Sequence, residues 1–129
     1  MTGDAGRAVQ EGWDDVPVDG PETIAERRLL ASFGQRAREV NLSRVGRLSE
    51  LFDRADAGRL DEDGRREAEN LAHQLVGSAG TFGQAGASLE AVEVERYFAV
   101  TDEGAAWSAA AGAAGARRAL DRLRAELAR

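Results

Sequence analysis

The sequence predicts an all-α fold, an antiparallel bundle of four helices whose first helix is kinked or split. Three observations predict it. Apolar residues recur at helical spacing along most of the chain from Pro21 onward. No segment shows the strict apolar/polar alternation of a strand. The connections between periodic stretches are short, so neighbouring helices turn back on one another and bury their apolar faces together.

Residues 1–20 are rich in Gly and Asp and lack a sustained period, which predicts a mobile acidic tail in which Trp13 is the only aromatic able to dock elsewhere. The remaining residues, 21–129, form the bundle. Pro21 follows Gly20 and suits a first helical position. Leu30, Phe33, Ala37 and Val40 form one stripe, and Val45, Leu48, Phe52 and Ala55 a second. The two are offset around Asn41-Leu42-Ser43, which predicts helices over about 22–40 and about 42–57 with a kink or break between them. Gly58 ends the second as a C-terminal cap.

Asp61-Glu62-Asp63 supplies a cap and an acidic first turn, favourable to the helix dipole, for a helix over about 62–82. Ala87, Ala91, Val94 and Phe98 mark another over about 84–98, and Thr101-Asp102 starts a last one over about 102–127. In that last helix Leu120, Leu123 and Leu127 hold the stripe while Gly112 and Gly115 weaken the middle.

At 129 residues the chain has room for one core and not two. Its 17 basic residues are all arginine and are outnumbered by 23 acidic ones, for a net charge of −6, which argues against nucleic acid as a partner. With no cysteine there is no disulfide, thiol nucleophile or thiolate metal site. Neither a signal peptide nor a membrane-spanning stretch is present, so a cytoplasmic, monomeric protein is expected.

The informative stretch is AHQLVGSAGTFG, Ala72 to Gly83, which carries the only histidine and three glycines. A glycine inside a helix costs roughly 1 kcal/mol relative to alanine. Ala68, Leu71, Leu75, Ala79 and Phe82 fall within an arc of roughly 80°, the face to be buried, and His73 lies roughly 150° from its centre. That geometry argues against a core histidine. Gly77 at i+4 and Gly80 at i+7 strip side chains from the surface beside the imidazole, leaving room for something large to approach it.

This stretch resembles the signature of histidine-containing phosphotransfer (HPt) domains, including those of chemotaxis-type kinases. In that signature a helix presents His, Gly at i+4, a small-residue pair and a Phe-Gly end. The similarity continues through Gly83, Ala87, Ala91, Val94 and Glu95, with Val94 where a closing Leu-Glu has Leu. It covers about 35 residues specifically and the helical layout from 22 to 127 loosely.

The resemblance implies that His73 accepts a phosphoryl group and passes it on. The partners would be response-regulator receiver domains, a histidine kinase, or both. Magnesium and the acidic pocket would belong to the partner, so the chain needs no cofactor or metal of its own and is a carrier rather than an enzyme. In an antiparallel hairpin Glu95 comes nearly level with His73, about 15 Å out to the turn and about 17 Å back. In relatives with Glu at this place the carboxylate fixes the imidazole tautomer. Gln74, Gly77, Gly80 and Val76 complete the supporting set.

Val76 is a departure, because the family usually has Lys at i+3 from the histidine, balancing the arriving phosphate. Arg66 shares the histidine's face but its Cα is about 10 Å away along the axis. A different class of reading, an HPt-like module that binds a kinase or receiver without carrying phosphate, draws its plausibility from Val76. A metal site on His73 and Glu69 is the weakest alternative, since two ligands on one helix seldom suffice.

Overall fold

The structure, a computed structural model, describes residues 21–100 and 106–129. The acidic tail with Trp13, and the expected helix start at Thr101-Asp102, lie outside the described residues. Four helices and no strand are found among those described: α1 (Pro21–Asp56), α2 (Glu62–Thr81), α3 (Ala85–Phe98) and α4 (Ala113–Ala128). The chain divides into two compact units, residues 1–34 and 35–129. In the first, the described residues are the opening turns of α1, where Ile24, Leu29, Leu30 and Phe33 are exposed.

The core lies within the second unit. Val45, Leu48, Leu51 and Phe52 from α1 meet Ala68, Ala72, Leu75 and Ala79 from α2. Ala87, Ala91, Val94, Tyr97 and Phe98 come from α3, and Ala116, Ala119, Leu120, Leu123 and Leu127 from α4. The alanines of α2 and α3 let these two helices approach closely, while the bulk comes from α1, α4 and the aromatic end of α3. There Phe52 stacks on Tyr97 with centroids 5.2 Å apart, and Phe98 meets Phe52 edge-on at 4.9 Å.

Polar ties between helices fix their register. Asn41, fully buried on α1, donates from Nδ2 to Ser78 Oγ of α2 at 3.0 Å and accepts from Arg44 Nη1 at 2.7 Å. Further along, Arg47 forms a bidentate pair with Glu67, at 2.7 and 2.8 Å. Arg117 of α4 reaches both Asp53 and Asp56 of α1 at 2.7 Å, and Arg122 reaches Glu90 of α3 at 2.9 Å.

Two helix ends follow the sequence reading closely. Asp61 caps α2, its carboxylate accepting from Gly64 N at 2.7 Å. Gly58 adopts φ 69° just beyond α1, where Arg59 N donates to Arg54 O.

Other expectations need correction. Helix α1 is unbroken through Asn41-Leu42-Ser43, because the Asn41 amide is spent on Ser78 and Arg44 instead of competing for its own backbone. Leu30, Phe33 and Val40 are exposed. Within the second unit the residues that α1 gives to the core begin at Val45, after the Asn41 tie to α2. Phe82 is 44% exposed, not buried. The helix stops at Thr81 and Phe82 caps it at φ −98°, ψ 22°, off the spiral that would have turned its ring inward.

Residues 106–112, expected to be helical, are not, and the last helix begins at Ala113. Trp107 is the cause. Its indole donates to Tyr97 O at 2.7 Å and its ring lies against Tyr97 and Phe98, with centroids 5.3 and 5.8 Å away. The Tyr97 hydroxyl donates to Ala109 O. These contacts hold the segment before Gly112 against the end of α3 in a non-helical path, and Gly112 at φ 78° turns it into α4.

Candidate functional site

His73 stands on the outer face of α2 with its side chain 74% exposed. Its immediate helical neighbours Ala72 and Leu75 are fully buried, so the backbone beneath the imidazole is anchored while the ring is not covered. Its Nδ1 lies 2.9 Å from Glu95 Oε2 of α3. An ionised carboxylate can only accept, so the neutral imidazole carries its proton on Nδ1 and leaves the Nε2 lone pair free.

Glu95 is itself held firmly. It is half-buried, with Val94 fully buried before it and Tyr97 and Phe98 in the core after it. Ser88, seven residues earlier and so on nearly the same side of α3, donates from Oγ to Val76 O at 2.8 Å. This second tie between α2 and α3, close to the histidine, was missed from sequence. The seven-residue spacing from Ser88 to Glu95 was the available signal.

The three glycines have different reasons. Gly83 takes φ 79° and closes α2, with Gln84 N donating to Ala79 O at 2.8 Å, a conformation L side chains rarely adopt. Gly80 lies beside α3: a Cβ there would sit 3.7 Å from Ser88 Oγ, an ordinary contact. At Gly77 a Cβ would meet nothing within 4 Å, and its φ is not positive. The fold therefore does not require Gly77, although it lies one turn from His73.

The remaining expected site residues are placed less centrally. Gln74 is exposed on α2. Val76 is half-buried and packs against the core, so its side chain is largely spent inside the molecule. Arg66 extends away from the histidine toward the start of α2, where Nε reaches Glu62 at 3.1 Å. Glu69 accepts from Arg65 Nη1 at 3.0 Å, and no group of three or more His, Cys, Asp or Glu able to hold a metal occurs among the described residues.

Arg65 was not anticipated at all. Its side chain is only 8% exposed, it pairs with Glu62 and Glu69, and it donates to the Phe98 carbonyl, one of those freed at the end of α3. The Glu62 carboxyl is held down to about 2, first by its hydrogen bonds to Arg65, and that of Glu67 is lowered by its bond to Arg47.

The arrangement presents one nucleophilic nitrogen, oriented from behind and open in front, on a helix with an empty position beside it. Comparison with family models, with curated proteins and with solved structures gives no match.

Proposed function

We propose that this chain is a cytoplasmic histidine phosphotransfer protein of a two-component relay, an antiparallel HPt-like bundle that receives and donates a phosphoryl group through His73. The observation that carries the reading is the combination at one place on α2. The imidazole is exposed, its Nδ1 is engaged by Glu95, and among the described residues no side chain comes within 4 Å of where a Cβ at Gly77 would stand. The order of the ties supports the antiparallel arrangement: Asn41 and Arg47 pair with Ser78 and Glu67, while Val76 and His73 pair with Ser88 and Glu95.

In the transfer the Nε2 lone pair attacks the phosphorus of an aspartyl phosphate on a receiver domain. The Nε2–P bond forms as the P–O bond to the aspartyl carboxyl breaks, and the carboxylate leaves with that electron pair. Nδ1–H stays with Glu95, which stabilises the positive charge developing on the ring. The reverse step hands the group on. Magnesium belongs to the partner's acidic pocket, and this chain contributes the positioned nucleophile and the surface around it.

No helix among the described residues is long and apolar enough to cross a membrane, which accords with a protein that meets its partners in solution. A second reading, an interaction module that carries no phosphate, is favoured by Val76, which leaves that position without a cation for an arriving phosphate. Incubation with a phosphorylated receiver separates the two. The relay reading expects acid-labile, base-stable label on the wild type and none on His73→Gln, with both proteins equally folded. Label retained by His73→Gln, or a wild type that stays unlabelled across a panel of phosphorylated receivers and kinases, refutes it.

A further inference from the structure

Two polar ties between α2 and α3 bracket the contact between His73 and Glu95. On one side Ser88 Oγ donates to the carbonyl of Val76, three residues beyond His73 on α2. On the other Arg65 Nη1 donates to the carbonyl of Phe98, three residues beyond Glu95 on α3. Arg65 lies eight residues before His73, about 12 Å along α2, well short of touching the ring. The two ties fix where α3 stands along α2, and with it where the Glu95 carboxylate meets Nδ1.

Arg65 also holds a second carboxylate. Glu69 stands four residues before His73, a spacing at which helical side chains are neighbours. It points to nearly the same side of α2 as Gly80, eleven residues on, which lies beside Ser88 of α3. Glu69 Oε1 accepts from Arg65 Nη1 at 3.0 Å, back toward the start of the helix. Released from that contact, Glu69 becomes an acidic rival to Glu95 for an N–H of the imidazole. A proton held on Nε2 by Glu69 would occupy the lone pair that has to attack. The guanidinium itself is clamped and buried, its Nε and Nη2 gripping both oxygens of Glu62 at 2.8 and 2.9 Å.

We propose that Arg65 is a positioning residue for His73: its bond to the Phe98 carbonyl sets Glu95 against Nδ1, and its bond to Glu69 keeps the rival carboxylate off the ring. The inference rests on the relay reading, in which Nε2 must be unprotonated to take the phosphoryl group. A lysine at this position keeps the charge but has no planar fork to serve Glu62, Glu69 and the carbonyl together.

The test reads the imidazole directly. Nitrogen NMR of the neutral ring gives the fraction that carries its proton on Nδ1. Phosphoramidate, a small donor that needs no partner protein, gives the loading rate by phosphorus NMR: ammonia leaves with the electron pair of the P–N bond as the Nε2–P bond forms. Wild type, Arg65→Lys, Arg65→Met, and Arg65→Met combined with Glu69→Gln are compared, with circular dichroism as a check on folding. Arg65→Lys keeps a cation among the same carboxylates and should fold, so it decides the matter where Arg65→Met does not fold. The Nδ1–H fraction and the loading rate should fall several-fold and in the same proportion in Arg65→Lys, and further in Arg65→Met. Adding Glu69→Gln to Arg65→Met should return part of both, which a merely structural role for Arg65 would not produce. A folded Arg65→Lys protein with the wild-type fraction and rate overturns the proposal, and a double variant no better than Arg65→Met overturns the part given to Glu69. Failure of the wild type to load at His73 refutes the relay reading, and the Nδ1–H fractions then still decide whether Arg65 aims the ring.

Discussion

Replacing Gly77 by alanine separates what the fold needs from what the site needs. The backbone there is helical and, among the described residues, the new methyl would meet nothing within 4 Å beyond the backbone of its own turn. The substitution gains no contact and suffers no clash, so its effect is the helix-propensity difference alone, about 0.5–1 kcal/mol in favour of alanine. For a cooperative unit the size of residues 35–129 this is a rise in melting temperature of about 2–8 °C. Thermal and urea unfolding followed by circular dichroism measure it directly. Gly83→Ala is the contrasting control, because φ 79° makes a side chain there cost about 1 kcal/mol or more.

The same Gly77 variants test access to His73. Transfer from a phosphorylated receiver should slow in Gly77→Ala and fall at least about tenfold in Gly77→Leu, equivalent to about 1.4 kcal/mol of lost docking or transition-state energy. A leucine variant that transfers like the wild type refutes the idea that a partner approaches over this turn. A destabilised alanine variant refutes the claim that the fold leaves the position free.

Three further outcomes follow from the packing and the charges. Asn41→Ala should cost about 1–3 kcal/mol in urea unfolding, because a buried amide bonded across two helices is lost and its partners stay behind. Adding Ser78→Ala should cost less than it does in the wild type, which a double-mutant cycle reads. Phe52→Ala should cost about 3–5 kcal/mol, since the ring is fully buried against Tyr97 and Phe98 and also lies under the Arg117 guanidinium at 5.1 Å. Stability should decline on acidification from the ordinary carboxylate range downward. Glu62 and Glu67 have folded values below their unfolded ones, so their contribution is present above the unfolded value of 4.5 and is lost as pH falls through the depressed values, about 2 for Glu62. Arg47→Gln should flatten the Glu67 part of that slope, and an unchanged slope would show that the pair contributes nothing.

The parts of this fold that could be read from sequence are those governed by short-range chemistry. Asp61 announces the start of α2 and Gly83 its end, and both act as their residue types require. The level placement of Glu95 against His73 follows from helix rise alone once the hairpin is assumed, and the 2.9 Å contact agrees with it. Long-range partners decided the rest. Asn41 looks like a helix breaker until Ser78 and Arg44 occupy it. The stretch before Gly112 is rich in alanine and looks helical, yet a single tryptophan finds a better place against Tyr97 and Phe98. Arg65 reads as a surface charge because nothing local reveals the Phe98 carbonyl 33 residues away.

Helix α3 is shared between the site and the interior. Glu95 orients the imidazole from the outside of a helix whose Val94, Tyr97 and Phe98 are wedged among Phe52 and Trp107 on the inside. A rigid helix cannot turn one side and spare the other. Any roll that gave Glu95 slack against His73 would also pull the aromatic rings out of register, and any thinning of those rings would loosen the carboxylate. On the relay reading, the aim of the nucleophile thus depends on side chains that never see the phosphate. Substitution at Phe52, Phe98 or Trp107 would on that reading disturb the surface site together with the core.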